Sequence, residues 1–516
     1  MKKKFLVIHP FLFALFPIAF LYNRGITYVS FSDILVPVAV VLLFALLVLG
    51  IFYLLYRDLK KAGVLTSVFM IMFFSYGHIH DLLCPYIKLV MVRNAILMGV
   101  WCAVLVAAAC FLLKTKRTLV NLTKLFNATA VVLIIIPLSG IVFNIPELFR
   151  TVNIEKGNIE GLKIEKTAKK SNSNEQFPDI YYLIFDRYND QVSLKRFFNF
   201  DNSEFLKYLT DKGFYVAAQS TSNYPCTTHS LASSLNMQYL NTMFAKMGES
   251  PENTRAMAAI IENSIVAKFL KAKGYKYLLS GSWFQLTRCS KLADVDYNLS
   301  LLPEFSMVLY RTTMLYPVTA KLGVLDKRTE HWKRVLYKFA KLPEAANVQG
   351  PVFVFAHFLI PHDPYVFNVD GTFLERSVEE QRTRERKYVD QVKFANKKIK
   401  ELVDKILSKS KTPPIIIIQA DEGSYPDKWK PNTDLAKLTN NEFEQKMGIL
   451  NAVYLPQANK SLLYPSMTPV NTFRIIFNSY FGAQLKMLPD KNYIFYDKHW
   501  WRVLEKNSQG PRKCVN

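Results

Sequence analysis

The chain has 516 residues, 50% of them apolar and 14% aromatic, with 65 basic against 41 acidic side chains and a formal net charge of +24. No internal repeat or low-complexity tract is present, so the chain is neither a repeat array nor a low-complexity polymer, and it is long enough to bury a large core. The charge divides into +10 over residues 1–150 (14 basic, 4 acidic) and +14 over the rest (51 basic, 37 acidic), an excess that suits anionic headgroups or an anionic polymer.

Apolar stretches at about 5–22, 34–56, 64–83, 95–113 and 125–142 are long enough, or nearly so, to cross a bilayer as helices. The third is the weakest, because His78, His80 and Asp81 cut its apolar run short, and an interfacial placement is its alternative. Basic residues decide the count. Lys2, Lys3 and Lys4 precede the first stretch, Arg57, Lys60 and Lys61 follow the second, and Lys114, Lys116, Arg117 and Lys124 separate the fourth from the fifth. Five spans place all three clusters on the cytoplasmic side, whereas four would put the last cluster outside and the large remainder inside. The reading is therefore a helical transmembrane domain over 1–145, with a cytoplasmic amino terminus and an extracytoplasmic remainder. That topology excludes a nucleic-acid partner, and the scarcity of polar residues in the spans argues against a transporter. No small-residue cleavage site follows the first stretch, so it reads as a span and not as a signal peptide.

Residues 146–176 are polar and read as a linker, leaving 177–516 as one extracytoplasmic domain. That domain opens with DIYYLIFDRY at 179–188, a run that fits a strand buried in a parallel sheet and delivers Asp186, then Arg187, at its carboxyl end. Next, Cys226, Thr227, Thr228 and His229 open a helix-forming stretch. A hydroxyl there is either an ordinary N-cap or a nucleophile whose anionic substrate is favoured by the helix N-terminus. A third run, PVFVFAHFLIPHDPYVF, carries His357 at its end and His362 in the following turn. Residues 376–410 have helical apolar spacing and lead into PIIIIQAD at 414–421, a second buried strand ending on Asp421 and followed by Glu422. Strand-end aspartates also serve as loop caps, but two of them with two histidines and a threonine form a metal-centred pattern. Tyr188, Tyr224, Trp283, Tyr365 and Tyr425 are aromatic candidates for lining a glycan or headgroup pocket, with core packing as the alternative.

In this order the segments resemble the alkaline phosphatase superfamily, in particular its membrane-anchored sulfatase-like branch of lipoteichoic acid synthases and phosphoethanolamine transferases, over roughly residues 177–480. The resemblance implies an α/β domain with a central, mostly parallel sheet sandwiched by helices. It implies Asp186 and Asp421 as metal ligands and Thr227 as a metal-bound nucleophile, chosen over Thr228 by the T-x-x-S spacing to Ser230. His357 and His362 match a substrate-binding or second-metal segment, with Arg187 and Trp283 as further substrate contacts. One position departs from the pattern, since Asp421-Glu422-Gly423 stands where the family has Asp-His-Gly. Glu422 as a ligand gives an oxygen-dominated shell that suits Mn²⁺ or Mg²⁺ better than Ca²⁺ or Zn²⁺. Its extra negative charge calls for a compensating cation, for which Arg187, Arg288 and the two histidines are candidates.

The function implied is transfer of a phosphoglycerol or phosphoethanolamine-type headgroup from a membrane lipid, through Thr227, to a cell-envelope glycan or lipid at the bacterial plasma membrane. The alternatives are a sulfate- or phosphate-ester hydrolase, disfavoured because no C/S-x-P-x-R segment surrounds Cys226, and a non-catalytic binding protein with a degenerate metal site. Three cysteines lie outside the spans, Cys226, Cys289 and Cys514, and a Cys226–Cys289 bridge would brace the nucleophile loop.

Overall fold

The computed structural model describes residues 6–26, 29–149, 177–241, 254–299, 302–426, 434–456, 460–496 and 499–506. The expected linker, from residue 150 on, and Cys514 lie outside the described residues. The chain forms two compact units, Met1–Thr151 with Leu301–Lys327, and Val152–Ser300 with Arg328–Asn516.

In the first unit five helices follow one another: α1 (His9–Arg24), α2 (Phe31–Tyr56), α3 (Leu59–Leu82), α4 (Val90–Lys114) and α5 (Val120–Phe149). All but α1 are long and apolar enough to cross a membrane, and α1, with 16 residues, measures roughly 24 Å. Caps fix their starts: Ser30 and Asp33 form a capping box on α2, and Asp58 accepts the amides of Lys60 and Lys61 on α3. The weak hydropathy of α3 has a physical reason. Its apolar window is 61% buried, against 11% for α4 and α5, so it packs among its neighbours and needs less lipid-compatible surface.

Residues 302–327 join this unit although they lie in the middle of what reads as one domain over 177–516. The helix Glu304–Arg311 inserts Phe305 and Leu309 into the core built by Phe13, Ile18 and Tyr22 of α1 and Ile34 of α2. That burial is what removes the segment from the second unit.

The second unit is built on a seven-stranded sheet of order β2-β7-β6-β1-β5-β3-β4 among the described residues. Its strands are β1 (Ile180–Phe185), β2 (Tyr215–Val216), β3 (Lys276–Ser280), β4 (Val295–Asp296), β5 (Val352–Phe358), β6 (Ile415–Gln419) and β7 (Asn451–Tyr454). From β6 to β4 the pairs are parallel, and β7 runs antiparallel to β6 and β2. Every side chain of β1 is buried, with Ile180, Tyr182 and Ile184 in one core layer and Tyr181, Leu183 and Phe185 in the other. This is why its sequence shows a continuous apolar run and no alternation. Three helices follow near the site: α6 (Gln191–Phe198), α7 (Ser203–Asp211) and α8 (Thr227–Asn236). The long helix expected over 376–410 spans Arg384–Lys409 and packs Tyr388, Val392 and Ile399 under the sheet. The stretch at 450–456 supplies β7, and Pro469–Phe481 forms the helix after it.

Candidate active site

Three adjacent parallel strands bring the site together. The pairing of β1 with β5 sets Ile184 opposite His357, and its pairing with β6 sets Ile184 opposite Gln419. Asp186, His357 and Asp421 therefore emerge side by side at the carboxyl edge of the sheet, where parallel α/β sheets place their chemistry. One ligand atom from each lies within 4.8 Å of the others, and all three side chains are buried.

Asp186 Oδ1, His357 Nε2 and Asp421 Oδ2 have no hydrogen-bond partner among the described residues. Orphaned buried polar atoms are costly, and three of them converging on one point fit a cation. Burial, with the charges of Asp186 and Glu422, raises the Asp421 carboxyl to about 7. Burial likewise raises Asp186, opposed by the Arg187 guanidinium. Burial lowers His357 to about 4, which leaves its imidazole neutral and ligand-competent. His357 Nδ1 is held 3.0 Å from Thr287 Oγ1, which is itself 3.0 Å from Ser282 Oγ, while Nε2 faces Asp186 Oδ2 at 3.6 Å. Gly281 permits that fold-back, because a Cβ there would lie 1.9 Å from the Thr287 carbonyl oxygen. Trp283 sits half-buried in the same turn. Below the site, the buried Lys338 amine donates to the His357 carbonyl, and burial lowers its pKa well below the usual lysine range.

Thr227 opens α8, and its side chain lies close enough to the Asp421 carboxyl to oppose the upward shift of that group. It is partly exposed, whereas Thr228 and the rest of α8 are buried. Ser230 donates to the Asp421 carbonyl at 2.6 Å, which gives the T-x-x-S spacing a structural reason: it ties the first turn of α8 to the end of β6.

Glu422 is outside the ligand cluster. Its carboxylate lies between two cations, Lys446 Nζ at 2.8 Å and Arg187 Nε at 3.1 Å. Both cations also face the Tyr425 ring, with Arg187 3.9 Å and Lys446 3.6 Å from its centroid. Arg187 takes a left-handed backbone (φ 63°), which aims its amide at Asp421 Oδ1, 3.3 Å away, and its guanidinium reaches Asp363 at 2.7 Å. Asn189 then clamps the two ligand turns, donating to the carbonyls of Gln445 and Gly448 and accepting from the Ser424 amide. Gly423 is required at this crossing, since a Cβ would meet Gln445 O at 2.3 Å.

The remaining expectations distribute as follows. His362 lies at the rim, its amide bonded to the Asp186 carbonyl at 3.2 Å, and burial together with the nearby Arg187 lowers its pKa. Tyr188 and Tyr224 are fully buried core residues; Tyr188 bonds Asn202 at 3.0 Å and Tyr224 stacks on Tyr493. The Cys226–Cys289 bridge does not form. Cys226 is buried with its Sγ 3.0 Å from His229 Nδ1, while Cys289 is exposed and forms no disulfide. His229 packs edge-on against Phe495. Lys446 is the residue that the sequence reading missed. Its signal is its position on the buried face of the helix Asn440–Met447, beside Phe443 and Met447, where a lysine is out of place unless paired.

The chain belongs to the Sulfatase family, whose match covers residues 179–478, more than half of its length. It is a sulfatase-like phosphotransferase or hydrolase with a membrane-helix domain at its amino-terminal end. No curated protein sequence matches it. Among solved structures it is similar to the C-terminal periplasmic domain of EcEptC from Escherichia coli in complex with Zn (TM-score 0.43, 13% identity, 65% of this chain and 94% of that one). It is also similar to the soluble domain of lipooligosaccharide phosphoethanolamine transferase A from Neisseria meningitidis (TM-score 0.39, 11% identity, 61% and 91%). A third is a protein in the alkaline phosphatase superfamily from Vibrio parahaemolyticus (TM-score 0.38, 12% identity, 63% and 74%).

Proposed function

We propose that this protein is a membrane-anchored, metal-dependent phosphotransferase. It takes a phospholipid-derived headgroup, of phosphoglycerol or phosphoethanolamine type, onto Thr227 and passes it to a cell-envelope glycan or lipid. The observation that carries this reading is a partly exposed hydroxyl at a helix N-terminus, beside Asp421 and three buried ligand atoms with no hydrogen-bond partner among the described residues.

Asp186, His357 and Asp421 would hold the ion, with the Thr227 hydroxyl as a fourth donor. When bound, a divalent ion neutralises the two buried carboxylates and favours ionisation of the hydroxyl. The imidazole in the set suits Mn²⁺ or Zn²⁺ better than the Mg²⁺ favoured by an all-oxygen shell, and Glu422, paired with Lys446 and Arg187, serves to fix those cations. The protein groups divide the remaining work. Asp421 orients Thr227, the first-turn amides of α8 favour the phosphoryl oxygens, Arg187 offers positive charge at the rim beside His362, and Trp283 serves as a further substrate contact. In the first step the Thr227 Oγ1–P bond forms as the P–O bond to diacylglycerol breaks, and the threonine proton ends on the departing alcohol. In the second step an acceptor hydroxyl attacks the same phosphorus and frees Thr227.

For topology we infer a cytoplasmic amino terminus and an extracytoplasmic catalytic unit. The basic residues Arg57, Lys60, Lys61, Lys114, Lys116 and Arg117 flank one end of α2 to α5, and the segment 302–327 packs toward the other.

The test is intact mass and peptide mapping of the full chain in phospholipid nanodiscs with Mn²⁺ or Zn²⁺, beside Thr227→Ala and Thr228→Ala. The expected result is a metal-dependent headgroup-phosphate adduct on Thr227, lost in Thr227→Ala and kept in Thr228→Ala. Turnover that survives Thr227→Ala would sink the assignment, and release of free headgroup with water as the sole acceptor would make the enzyme a hydrolase.

A further inference from the structure

The segment that returns from the second unit to the helices meets α3 along its side, short of its end. The Gly77 amide donates to the Thr312 carbonyl at 2.9 Å, and the Met314 amide donates to the Phe73 carbonyl at 3.0 Å. Only glycine allows this approach, since a Cβ on Gly77 would lie 2.5 Å from Arg311 O and 2.7 Å from Thr312 Cα. Helix α3 ends at Leu82, so these bonds sit roughly 8 to 14 Å back along its axis. Beyond Gly77 the helix turns polar with His78, His80 and Asp81. The segment is therefore docked where the apolar stretch of α3 gives way to polar residues, at the level where the hydrocarbon of a bilayer would meet its headgroups.

Its own polar groups are arranged for such a setting. Thr312 and Thr313 are buried and return their hydroxyls to the carbonyls of Leu309 and Tyr310, each at 2.7 Å, and Thr319 returns its hydroxyl to the Leu315 carbonyl at 3.2 Å. The Tyr310 hydroxyl bonds Thr319. Irregular backbone at membrane depth is tolerated only when satisfied in this way. Its apolar groups face outward: Leu315 and Val318 are each 49% exposed, Val324 is 52% and Leu322 is 71%. The same end of the bundle exposes Phe31 and Leu35 of α2 and Tyr86 and Leu89 of the α3–α4 turn, so this surface continues the lipid-facing one.

We propose that residues 302–325 are a re-entrant interfacial segment, latched to α3 at Gly77, whose Leu315, Val318, Leu322 and Val324 enter the phospholipid leaflet, the bilayer itself being the partner of this face. The catalytic unit is thereby tied to the membrane plane at a point far along the chain from α5. This inference rests on the membrane reading of α1 to α5 and not on chemistry at Thr227.

The experiment places a fluorescent amino acid, by stop-codon suppression, at position 322 of the full chain in phospholipid nanodiscs. Position 43 on lipid-facing α2 and position 378 in the second unit serve as references. Acyl-brominated lipid should quench 322 several-fold more than 378, and aqueous iodide several-fold less. Gly77→Leu should raise iodide quenching at 322 while leaving 43 unchanged. Iodide quenching at 322 equal to that at 378 overturns the proposal. Protection of 322 from both quenchers overturns it as well, because a protein surface would then cover the face. If Gly77→Leu fails to fold, the unmodified chain decides alone, and iodide access at position 43 would mean that the membrane reading itself has failed.

Discussion

Lys446 and Glu422 are each buried at a point where neither charge can be solvated, and Glu422 is held by Lys446 together with Arg187. Replacing Lys446 by Met leaves Glu422 with Arg187 alone and should destabilise the second unit by about 1–3 kcal/mol, less than the ~3–5 kcal/mol of a fully stranded buried charge. The double variant Lys446→Met with Glu422→Gln should recover most of that loss. Thermal unfolding of the two variants checks this, and equal melting temperatures would contradict it. The carboxylates Asp186 and Asp421 give a pH signature. Both are raised in the metal-free fold, Asp421 to about 7 from 3.8, so the folded state binds protons that the unfolded chain has lost. Their contribution to metal-free stability is full below the ordinary carboxylate pKa and is lost as pH rises toward neutrality. Metal displaces those protons, so the gain in melting temperature on adding Mn²⁺ should grow from pH 5.5 to pH 8. A gain that is flat or shrinking with pH would count against Asp186 and Asp421 as ligands.

At the scale of elements, the position of α8 depends on its bond to the end of β6. Ser230→Ala removes the 2.6 Å bond to the Asp421 carbonyl, costing about 1 kcal/mol of stability, and should lower kcat roughly tenfold with little change in KM, because Thr227 loses its alignment and the substrate keeps its contacts. A matching rise in KM would instead mark Ser230 as part of substrate binding. Much of this layer was legible in the sequence. The strands β1, β5 and β6 announce themselves as apolar runs because both faces of a parallel sheet are buried, and Asp186, His357 and Asp421 follow from where those runs end. What the runs do not encode is which side chains meet. Glu422 follows Asp421 directly yet turns to Lys446, a residue 24 positions later whose burial becomes visible only once its helix is packed. His357 joins the two aspartates because β5 is the neighbour of β1, a fact of strand order. The Cys226–Cys289 expectation failed for a similar reason, since the shared compartment of two thiols says nothing about the direction in which each points.

For the whole molecule, the inserted segment makes the two units interdependent in sequence. A fragment of residues 177–516 carries Phe305 and Leu309 without the helices that bury them, so it should self-associate with rising concentration in gel filtration. Phe305→Asn with Leu309→Asn should suppress that association, whereas a monodisperse unmodified fragment would show that these side chains find another place. The strand order has a last consequence, for biosynthesis. The central strand β1 is made early, but its flanking partners β5 and β6 are completed only at residues 358 and 419. No two of the three proposed ligands come from neighbouring stretches of chain, so no translation product that stops short of residue 421 assembles the set, and pairing over such separations is slow. On the proposed function, the nascent polypeptide would thus stay chemically silent, unable to capture an ion or be modified at Thr227, until most of it has been synthesised and folded.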